Sequence, residues 1–263
     1  MVAAADRRVN GGNMNLLVSN DDGIDAPGIA ALAEALSDLG TVWVVAPSSE
    51  RSAQSHALTM HKPLRVHQRK ERWFSVSGTP ADCAYMAVHH LLPEPPALMI
   101  SGINRGSNLG NDIFYSGTFA AALEASFQGV AAVAVSLHAP HPRAHWETAQ
   151  HVVRQLVPKI LAEPWPRRVL FNVNVPNIPL HELKGIRAAR LGERRYDSMV
   201  DRRTDPRGRE YFWIGGEHAE FLGDEHTDGP AVLAGWAAVT PVFPDLTVES
   251  LLPRIDRWFQ GAP

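Results

Sequence analysis

The sequence predicts an α/β fold, in the form of a three-layer, Rossmann-like domain built on a mostly parallel sheet. Short apolar runs of strand length alternate with longer stretches whose apolar residues recur at helical spacing. The first three such segments, 14–19, 27–39 and 41–46, form a βαβ unit, for which a parallel sheet with a right-handed crossover is expected. The length of 263 residues allows a full hydrophobic core. We expect residues 14–263 to form one domain of this kind.

The alternation of strands and helices continues along the chain. Ile29, Leu32 and Leu36 share one face of the first helix, and Pro27 suits its first turn. Pro47 ends the second strand. Further strands are predicted at 57–67, 72–77, 97–101, 131–137 and 169–175, with helices at 80–92, 118–128 and 144–161. A short helix and a strand follow within 227–242, and the chain closes in the helical segment 250–259.

Two segments depart from this pattern. Residues 185–216 are rich in Arg and Asp, and their short strand-like runs are broken by glycine and proline. They predict a β-hairpin arm which, together with the C-terminal segment, serves oligomerisation at a subunit interface. Residues 1–13 are expected to be a disordered extension, an upstream start or a cloning remnant ahead of the domain.

Composition excludes several classes of protein. With 25 Lys and Arg against 28 Asp and Glu, the net charge of −3 gives no electrostatic reason for a nucleic-acid or membrane partner. The single cysteine, Cys83, excludes a disulfide framework and cysteine-rich metal sites. No apolar run approaches the ~18 residues of a membrane span, and residues 1–13 lack the apolar region of a signal peptide. We therefore expect a cytoplasmic protein.

The first candidate site is Ser19–Gly23, which directly follows the first predicted strand. Open α/β sheets bind ligands at the carboxyl ends of their strands. The adjacent carboxylates of Asp21 and Asp22 repel each other there, and oxygen ligands of this kind suit Mg²⁺, Mn²⁺ or Ca²⁺. The same residues also fit a tight turn, with Asp22 or Asp25 capping the next helix. The pair alone leaves both interpretations open.

The second candidate loop, residues 46–52, follows the second strand and lies at the same edge of the sheet. Ser52 offers a hydroxyl to a metal or a phosphate, and Arg51 offers a charged guanidinium. Taken alone, these residues fit a polar loop that caps a helix better than a binding site.

The third candidate is the longest, spanning residues 100–112 and the helix start that follows. Its glycines at 102, 106 and 110 permit close approach of a ligand to the backbone, and its asparagines supply neutral oxygens and amide donors. Ser116, Gly117 and Thr118 then begin a helix, whose free N–H groups and dipole favour a phosphate. Asn20 and Asn108 are further candidate donors to phosphate oxygens.

Taken together, these segments resemble the SurE family of survival-protein nucleotidases. The matching pieces are LLVSNDDGIDAPGI, VVAPSSERSAQSHALT, VSGTPADC, MISGINRGSNLGNDIFYSGTFAAALEA and TDGPAVLAGWAAVTPV. The resemblance covers nearly all of residues 14–252. Ala53 and Trp236 stand where many members of the family have glycine and tyrosine, and neither is a proposed ligand.

The resemblance implies metal-dependent hydrolysis of nucleoside 5′- and 3′-monophosphates to nucleoside and phosphate, with exopolyphosphatase as a further activity. It implies a homodimer or a homotetramer, and one divalent ion per subunit, Mg²⁺ or Mn²⁺, or Ca²⁺ in crystals. The residues that match the family's metal ligands are Asp21, Asp22, Ser52 and Asn104.

The chemistry of the loops agrees with this implication. The phosphate would bridge the ion and the N–H groups near Ser116, Gly117 and Thr118, so that charge stabilisation and positioning come from both sides. The catalytic candidates are Asp21 and Asp22. The sequence leaves open whether one of these carboxylates or an activated water attacks the phosphorus.

Two other functions fit the same residues. A non-catalytic sensor of nucleotides or metals would use the same anion site without a nucleophile, and tight binding without phosphate release would favour it. A Mn²⁺-dependent glycosyltransferase also places aspartates near a nucleotide. It would have to consume a nucleotide sugar, and the second half of the predicted sheet contains no D-x-D motif.

Overall fold

The computed structural model describes residues 14–139, 143–196, 199–215 and 219–260, so the N-terminal extension predicted for residues 1–13 lies outside the described residues. The strands are β1 (Asn15–Ser19), β2 (Thr41–Pro47), β3 (Val66–Lys70), β4 (Trp73–Val76), β5 (Leu98–Arg105), β6 (Ala131–His138), β7 (Leu170–Pro176), β8 (Ile186–Ala188), β9 (Glu193–Tyr196), β10 (Met199–Thr204), β11 (Glu210–Gly215), β12 (Ala219–Leu222) and β13 (Ala237–Val242). The helices are α1 (Pro27–Leu36), α2 (Pro80–Met86), α3 (Gly117–Phe127), α4 (Trp146–Ala162), α5 (Asp228–Leu233) and α6 (Leu252–Phe259). A π-helical turn, Ala87–Leu91, extends α2, and 3₁₀ turns form at Gly110–Phe114, Leu180–Glu182 and Glu249–Leu251.

Nine of these strands form one twisted sheet in the order β3-β4-β2-β1-β5-β6-β7-β13-β8. The pairs from β4 through β2, β1, β5 and β6 to β7 are all parallel, whereas β3 and β13 join antiparallel. The order of the strands reverses between β1 and β5, which pair with each other. In open α/β sheets this reversal produces a crevice at the carboxyl ends of the strands, where ligands bind.

Both faces of the sheet are covered by helices, as the apolar runs predict. Along β1, Leu16 and Val18 belong to one buried cluster and Leu17 to the other, because successive side chains point to opposite faces. Helices α1 and α4 pack together on the first face, and α2 and α3 on the second. The prediction of a three-layer, mostly parallel α/β fold is confirmed.

The strand predicted at 57–67 is wrong over most of its length, because β3 begins only at Val66. Pro63 has no N–H to give to a neighbouring strand. The backbone N–H of Thr59 donates instead to the Asp82 carboxylate, 2.9 Å away. The strand predicted at 97–101 continues to Arg105, so Asn104 lies on β5 itself rather than in a loop.

The described residues of the segment 185–216 form short strands, and the role of the segment at a subunit interface stays a prediction. Strands β10 and β11 make an antiparallel hairpin, and β9 pairs with β12. The hairpin leaves large apolar side chains in solvent, with Trp213 61% and Ile214 92% exposed. Helix α6 buries none of its residues. Among the described residues, no helix combines the length and apolar content that crossing a membrane requires.

Candidate active site

The loop after β1 is a tight turn closed by its own first residue. The Asn20 side-chain amide donates to the Gly23 carbonyl at 2.9 Å, and its Oδ1 accepts from the Gly23 N–H at 3.2 Å. Asn20 is fully buried. The turn interpretation is therefore correct for the backbone, but neither Asp22 nor Asp25 caps the next helix, because the N-cap of α1 is Ala26 and no side chain caps it. The same turn fixes Asp21 and Asp22 at the carboxyl end of β1.

Asp21 lies at the N-terminus of α3. Its Oδ1 accepts a 2.5 Å hydrogen bond from the Thr118 hydroxyl. A Cβ at Gly117 would lie 2.7 Å from the Cβ of Asp21, so only glycine permits this approach. Ser116 is the N-cap, and its hydroxyl oxygen accepts from the N–H of Phe119 at 3.0 Å. The first and third predicted loops thus come together, through residues 97 positions apart in the chain.

The two carboxyl groups of this loop have raised pKa values. Burial raises the pKa of Asp21 to about 6; hydrogen bonds from Thr118 oppose the shift, and the charge of Asp22 adds to it. Burial also raises the pKa of Asp22, against a backbone hydrogen bond from Arg105. Hydrogen bonds, rather than a neighbouring cation, stabilise the Asp21 carboxylate. A pair of adjacent carboxylates, one buried and one half-buried, fits a bound cation that would offset its charge.

The loops that carry the other predicted ligands meet the aspartates through neighbouring backbone groups. The N–H of Arg51 donates to the Asp21 carbonyl at 2.7 Å, which places Ser52 beside the first loop. The N–H of Arg105 approaches Asp22 Oδ2 at 3.4 Å. This contact places Asn104, the preceding residue, near Asp22.

Ser52 and Asn104 each keep a local hydrogen bond. The Ser52 hydroxyl donates to Glu50 at 2.9 Å, and the Asn104 amide donates to the Gly106 carbonyl at 2.7 Å. No three His, Cys, Asp or Glu side chains of the described chain assemble into a metal cluster. A cation at this site would therefore depend on hydroxyl and amide oxygens as well as on the two carboxylates. That mixture suits a hard ion.

Asn108 holds the third loop against β6 and β7. Its side-chain amide donates to the Ser136 hydroxyl at 2.7 Å, and its backbone carbonyl accepts from the amides of Asn172 and Asn174. These contacts place the Asn108 side chain with Ser136 rather than with Asp21. Sequence reasoning missed the supporting asparagines, although two of them on one face of the buried run VLFNVNV were a readable signal.

A second support that sequence reasoning missed is Asp228. Its carboxylate accepts from the backbone N–H groups of Gly110 at 2.8 Å, Gly192 at 2.9 Å and Gly229 at 2.9 Å. It therefore ties the third loop to the start of the arm and to α5. Asp228 lies in the segment TDGPAV, which matches the family, but the sequence alone did not indicate what this carboxylate does.

The long segment after Ser52 has no regular structure and is anchored by side chains. Ser55 donates to the Phe114 carbonyl at 2.6 Å, His56 Nε2 lies 2.8 Å from Glu124 Oε2, and Thr59 donates to Asp82 at 2.6 Å. Burial tends to raise the pKa of Glu124, but hydrogen bonds from His56 and Gln128 outweigh it and lower that pKa. Helix α3 thus meets Asp21 at its N-terminus and holds the Ser52 loop through Glu124.

Comparisons with known proteins agree with this architecture. A family model described as "Survival protein SurE" matches residues 16–198. A "5′-nucleotidase SurE" of Geobacter sulfurreducens is 48% identical over 245 residues, which are 93% of this chain and 94% of that relative. Its namesake in Alkalilimnicola ehrlichii is 46% identical over 248 residues, which are 94% and 96% of the two chains. The crystal structure of the SurE protein from Aquifex aeolicus superposes with a TM-score of 0.84 at 39% identity, covering 94% of this chain and 100% of that one.

Proposed function

The chain belongs to the SurE family, and from that premise we propose that it is a metal-dependent 5′-nucleotidase that hydrolyses nucleoside monophosphates to nucleoside and phosphate. The observation that carries the proposal is the buried Asp21 carboxylate at the N-terminus of α3, where carboxylates, hydroxyls and helix N–H groups converge. The relatives named as 5′-nucleotidases support turnover over the sensor alternative.

The residues present fit a divalent ion, Mg²⁺ or Mn²⁺, with one ion per subunit. Asp21, Asp22, Ser52 and Asn104 would hold it, since they offer oxygen atoms from three converging loops. The adjacent carboxylates support this assignment, since Asp21 is buried and hydrogen bonds are what oppose the rise of its pKa. When bound, the ion would supply charge neutralisation for the phosphoryl oxygens.

The chain's own residues position the phosphate. By helix geometry the first N–H groups of α3, at Gly117 and Thr118, have no acceptor within the helix, and Ser116 fixes the start of that helix. The Thr118 hydroxyl orients the Asp21 carboxylate. Phosphoryl transfer depends mostly on such positioning and on charge stabilisation.

We assign the proton-accepting role to Asp22. Asp21 Oδ1 is held by Thr118, whereas Asp22 is less buried and its Oδ2 lies at a long 3.4 Å from the Arg105 N–H. Asn20 and Asn108 are assigned to shaping the two loops, since their amides are already engaged there.

The wider substrate range is part of the same proposal. We include nucleoside 3′-monophosphates and polyphosphate, because the carboxylates, hydroxyls and helix N–H groups gathered at the site recognise a phosphate group rather than a base. A cytoplasmic location stays a prediction that rests on the single cysteine.

A homodimer or homotetramer is proposed from the exposed apolar side chains of the arm and of α6. Phe212, Trp213, Ile214, Trp258 and Phe259 are each more than half exposed, and contiguous exposed apolar surface marks interaction sites. Replacing residues 199–215 by a short Gly-Ser loop should lower the mass measured by light scattering. An unchanged mass would contradict the role of the hairpin.

The proposal is tested by phosphate release from a panel of nucleoside 5′- and 3′-monophosphates. The protein is first treated with EDTA and then assayed with and without Mn²⁺ or Mg²⁺. Release only with metal is expected. Tight nucleotide binding without release in any metal would instead establish a sensor.

A further inference from the structure

A polar cavity of about 260 Å³ lies beside the candidate active site, between the segment after Ser52 and the turn before α2. Its lining includes Arg51, Gln54, Thr59, Lys62 and Thr79. No carboxylate is among its lining residues. Two residues with cationic side chains therefore line a small polar space that the proposed reaction does not yet use.

The nearby carboxylate, Asp82, is occupied elsewhere. It accepts from the N–H of Thr59 at 2.9 Å, from the Thr59 hydroxyl at 2.6 Å and from the N–H of Thr79 at 2.8 Å. It is 3% exposed. These three hydrogen bonds hold Asp82 beside Thr59 and Thr79, two residues of the cavity lining.

Arg51 carries an unsatisfied donor at this place. Its Nε is buried and has no hydrogen-bond partner among the described residues. A buried guanidinium donor without a partner is costly, and charged donors of this geometry bind phosphate oxygens well. The lining is therefore suited to an anion.

The cavity adjoins the proposed phosphate position on two sides. The backbone N–H of Arg51 donates to the Asp21 carbonyl at 2.7 Å. Pro80, directly after Thr79, would lie 3.1 Å from a Cβ at Gly117. A molecule whose phosphate is held at the start of α3 can therefore extend toward Arg51 and Lys62.

We propose that this cavity is a subsite for a second phosphate group, so that nucleotides with two phosphates bind better than monophosphates. The inference rests on the proposed function, because it places the first phosphate at Gly117 and Thr118. The shared chemistry is a phosphate anion, attached either across the ribose or directly to the first phosphate.

The test compares adenosine 5′-monophosphate with adenosine 3′,5′-bisphosphate and with adenosine 5′-diphosphate, as separate kcat/KM measurements. At least one two-phosphate nucleotide has the higher kcat/KM in the wild type. Lys62→Gln lowers that advantage roughly three- to tenfold, the scale of one charge contact. Which of the two nucleotides responds identifies where the second phosphate is attached.

Lys159→Gln is the matched control, because Lys159 is exposed on α4 and lies outside the lining of the cavity. The substitution removes the same charge, and the variant keeps the higher kcat/KM for the two-phosphate nucleotide. The inference is overturned if neither two-phosphate nucleotide is preferred in the wild type, or if Lys62→Gln keeps the preference. If the monophosphate released no phosphate with any metal, the proposed function would fail. Calorimetric binding of the same three nucleotides to the wild type and Lys62→Gln would then decide the inference separately.

Discussion

The candidate active site has two halves that are built differently. Asp21, Asp22 and Asn104 lie at the ends of β1 and β5, two parallel strands that pair directly in the middle of the sheet. Ser52 lies on a segment without regular structure, held by the contacts of Ser55, His56 and Thr59. The sheet half is fixed by packing and backbone pairing, whereas the loop half depends on a few side-chain hydrogen bonds.

The two halves hold their residues in place by different means. A sheet edge holds charged groups that repel each other, because the buried strands beneath it cannot move apart. A loop held by separate hydrogen bonds can open locally at low cost, which suits a wall that a substrate must pass. Changes in the sheet half should therefore affect chemistry most, and changes in the loop half should affect ion and substrate binding more gently.

The largest effect is expected from Asp22→Asn. Removal of the proton-accepting carboxylate should lower kcat by ~10²–10⁴-fold, the usual range for a general base, and the Mn²⁺ concentration for half-maximal activity should rise as well, because Asp22 would also hold the ion. The variant should fold normally, with a thermal midpoint no lower than the wild type, because one of two repelling carboxyl groups is gone. Phosphate release at saturating Mn²⁺ measures the effect, and turnover within tenfold of the wild type would contradict it.

Gly117→Ala should be the next most severe change. Its Cβ would lie 2.7 Å from the Cβ of Asp21, so the start of α3 or the β1 loop must shift. We expect about 1–3 kcal/mol less stability in urea unfolding, although alanine is the better helix former, together with a large loss of kcat. Gly215→Ala is the control, because none of the described residues places an atom within 4 Å of its added Cβ. Equal behaviour of the two variants would show that Asp21 and α3 are not in close contact.

Ser52→Ala should have a moderate effect that is confined to ion binding. It removes one neutral ligand from the loop half and leaves the carboxylates in place. We expect the Mn²⁺ concentration for half-maximal activity to rise about tenfold, the effect of losing roughly 1.4 kcal/mol, with kcat at saturating metal nearly kept. A drop in kcat that excess metal does not restore would place Ser52 in the chemical step instead.

Glu124→Gln should have the smallest effect and should depend on pH. Because the folded state lowers the pKa of Glu124, its contribution to stability is present above the ordinary value near 4.5 and is lost as pH falls through the folded value. We expect the variant to be about 1 kcal/mol less stable at pH 7, with the difference shrinking toward pH 4 in urea titrations.

The control for this change is Glu147→Gln. Glu147 also contacts a histidine, His145, at 2.7 Å, but its side chain is 57% exposed. Exposed pairs contribute little, so this variant should stay within about 0.5 kcal/mol of the wild type at both pH values. A pH-independent loss for Glu124→Gln would mean that shape, and not charge, anchors the segment after Ser52.

Much of the fold was predictable because its signals are local. The apolar runs of β1, β2, β6 and β7 predict buried strands, since such runs are strand-length and end at turn residues. The segment 57–65 could not be predicted in the same way. Its residues alternate like those of a strand, but the N–H of Thr59 donates to the Asp82 carboxylate of α2, and the carbonyl of Ala57 accepts from the Thr79 hydroxyl.

For the candidate site, the sequence by itself determined the residue types, their loops and the edge of the sheet at which those loops meet. It also determined the family, through motifs that lie within continuous stretches of chain. Only the tertiary structure decided that Thr118 orients Asp21 and that His56 meets Glu124 across 68 positions. It also decided that Asp228 reaches Gly110 across 118 positions. Such contacts form only when the packed layers bring distant segments together. Local sequence patterns therefore cannot predict them.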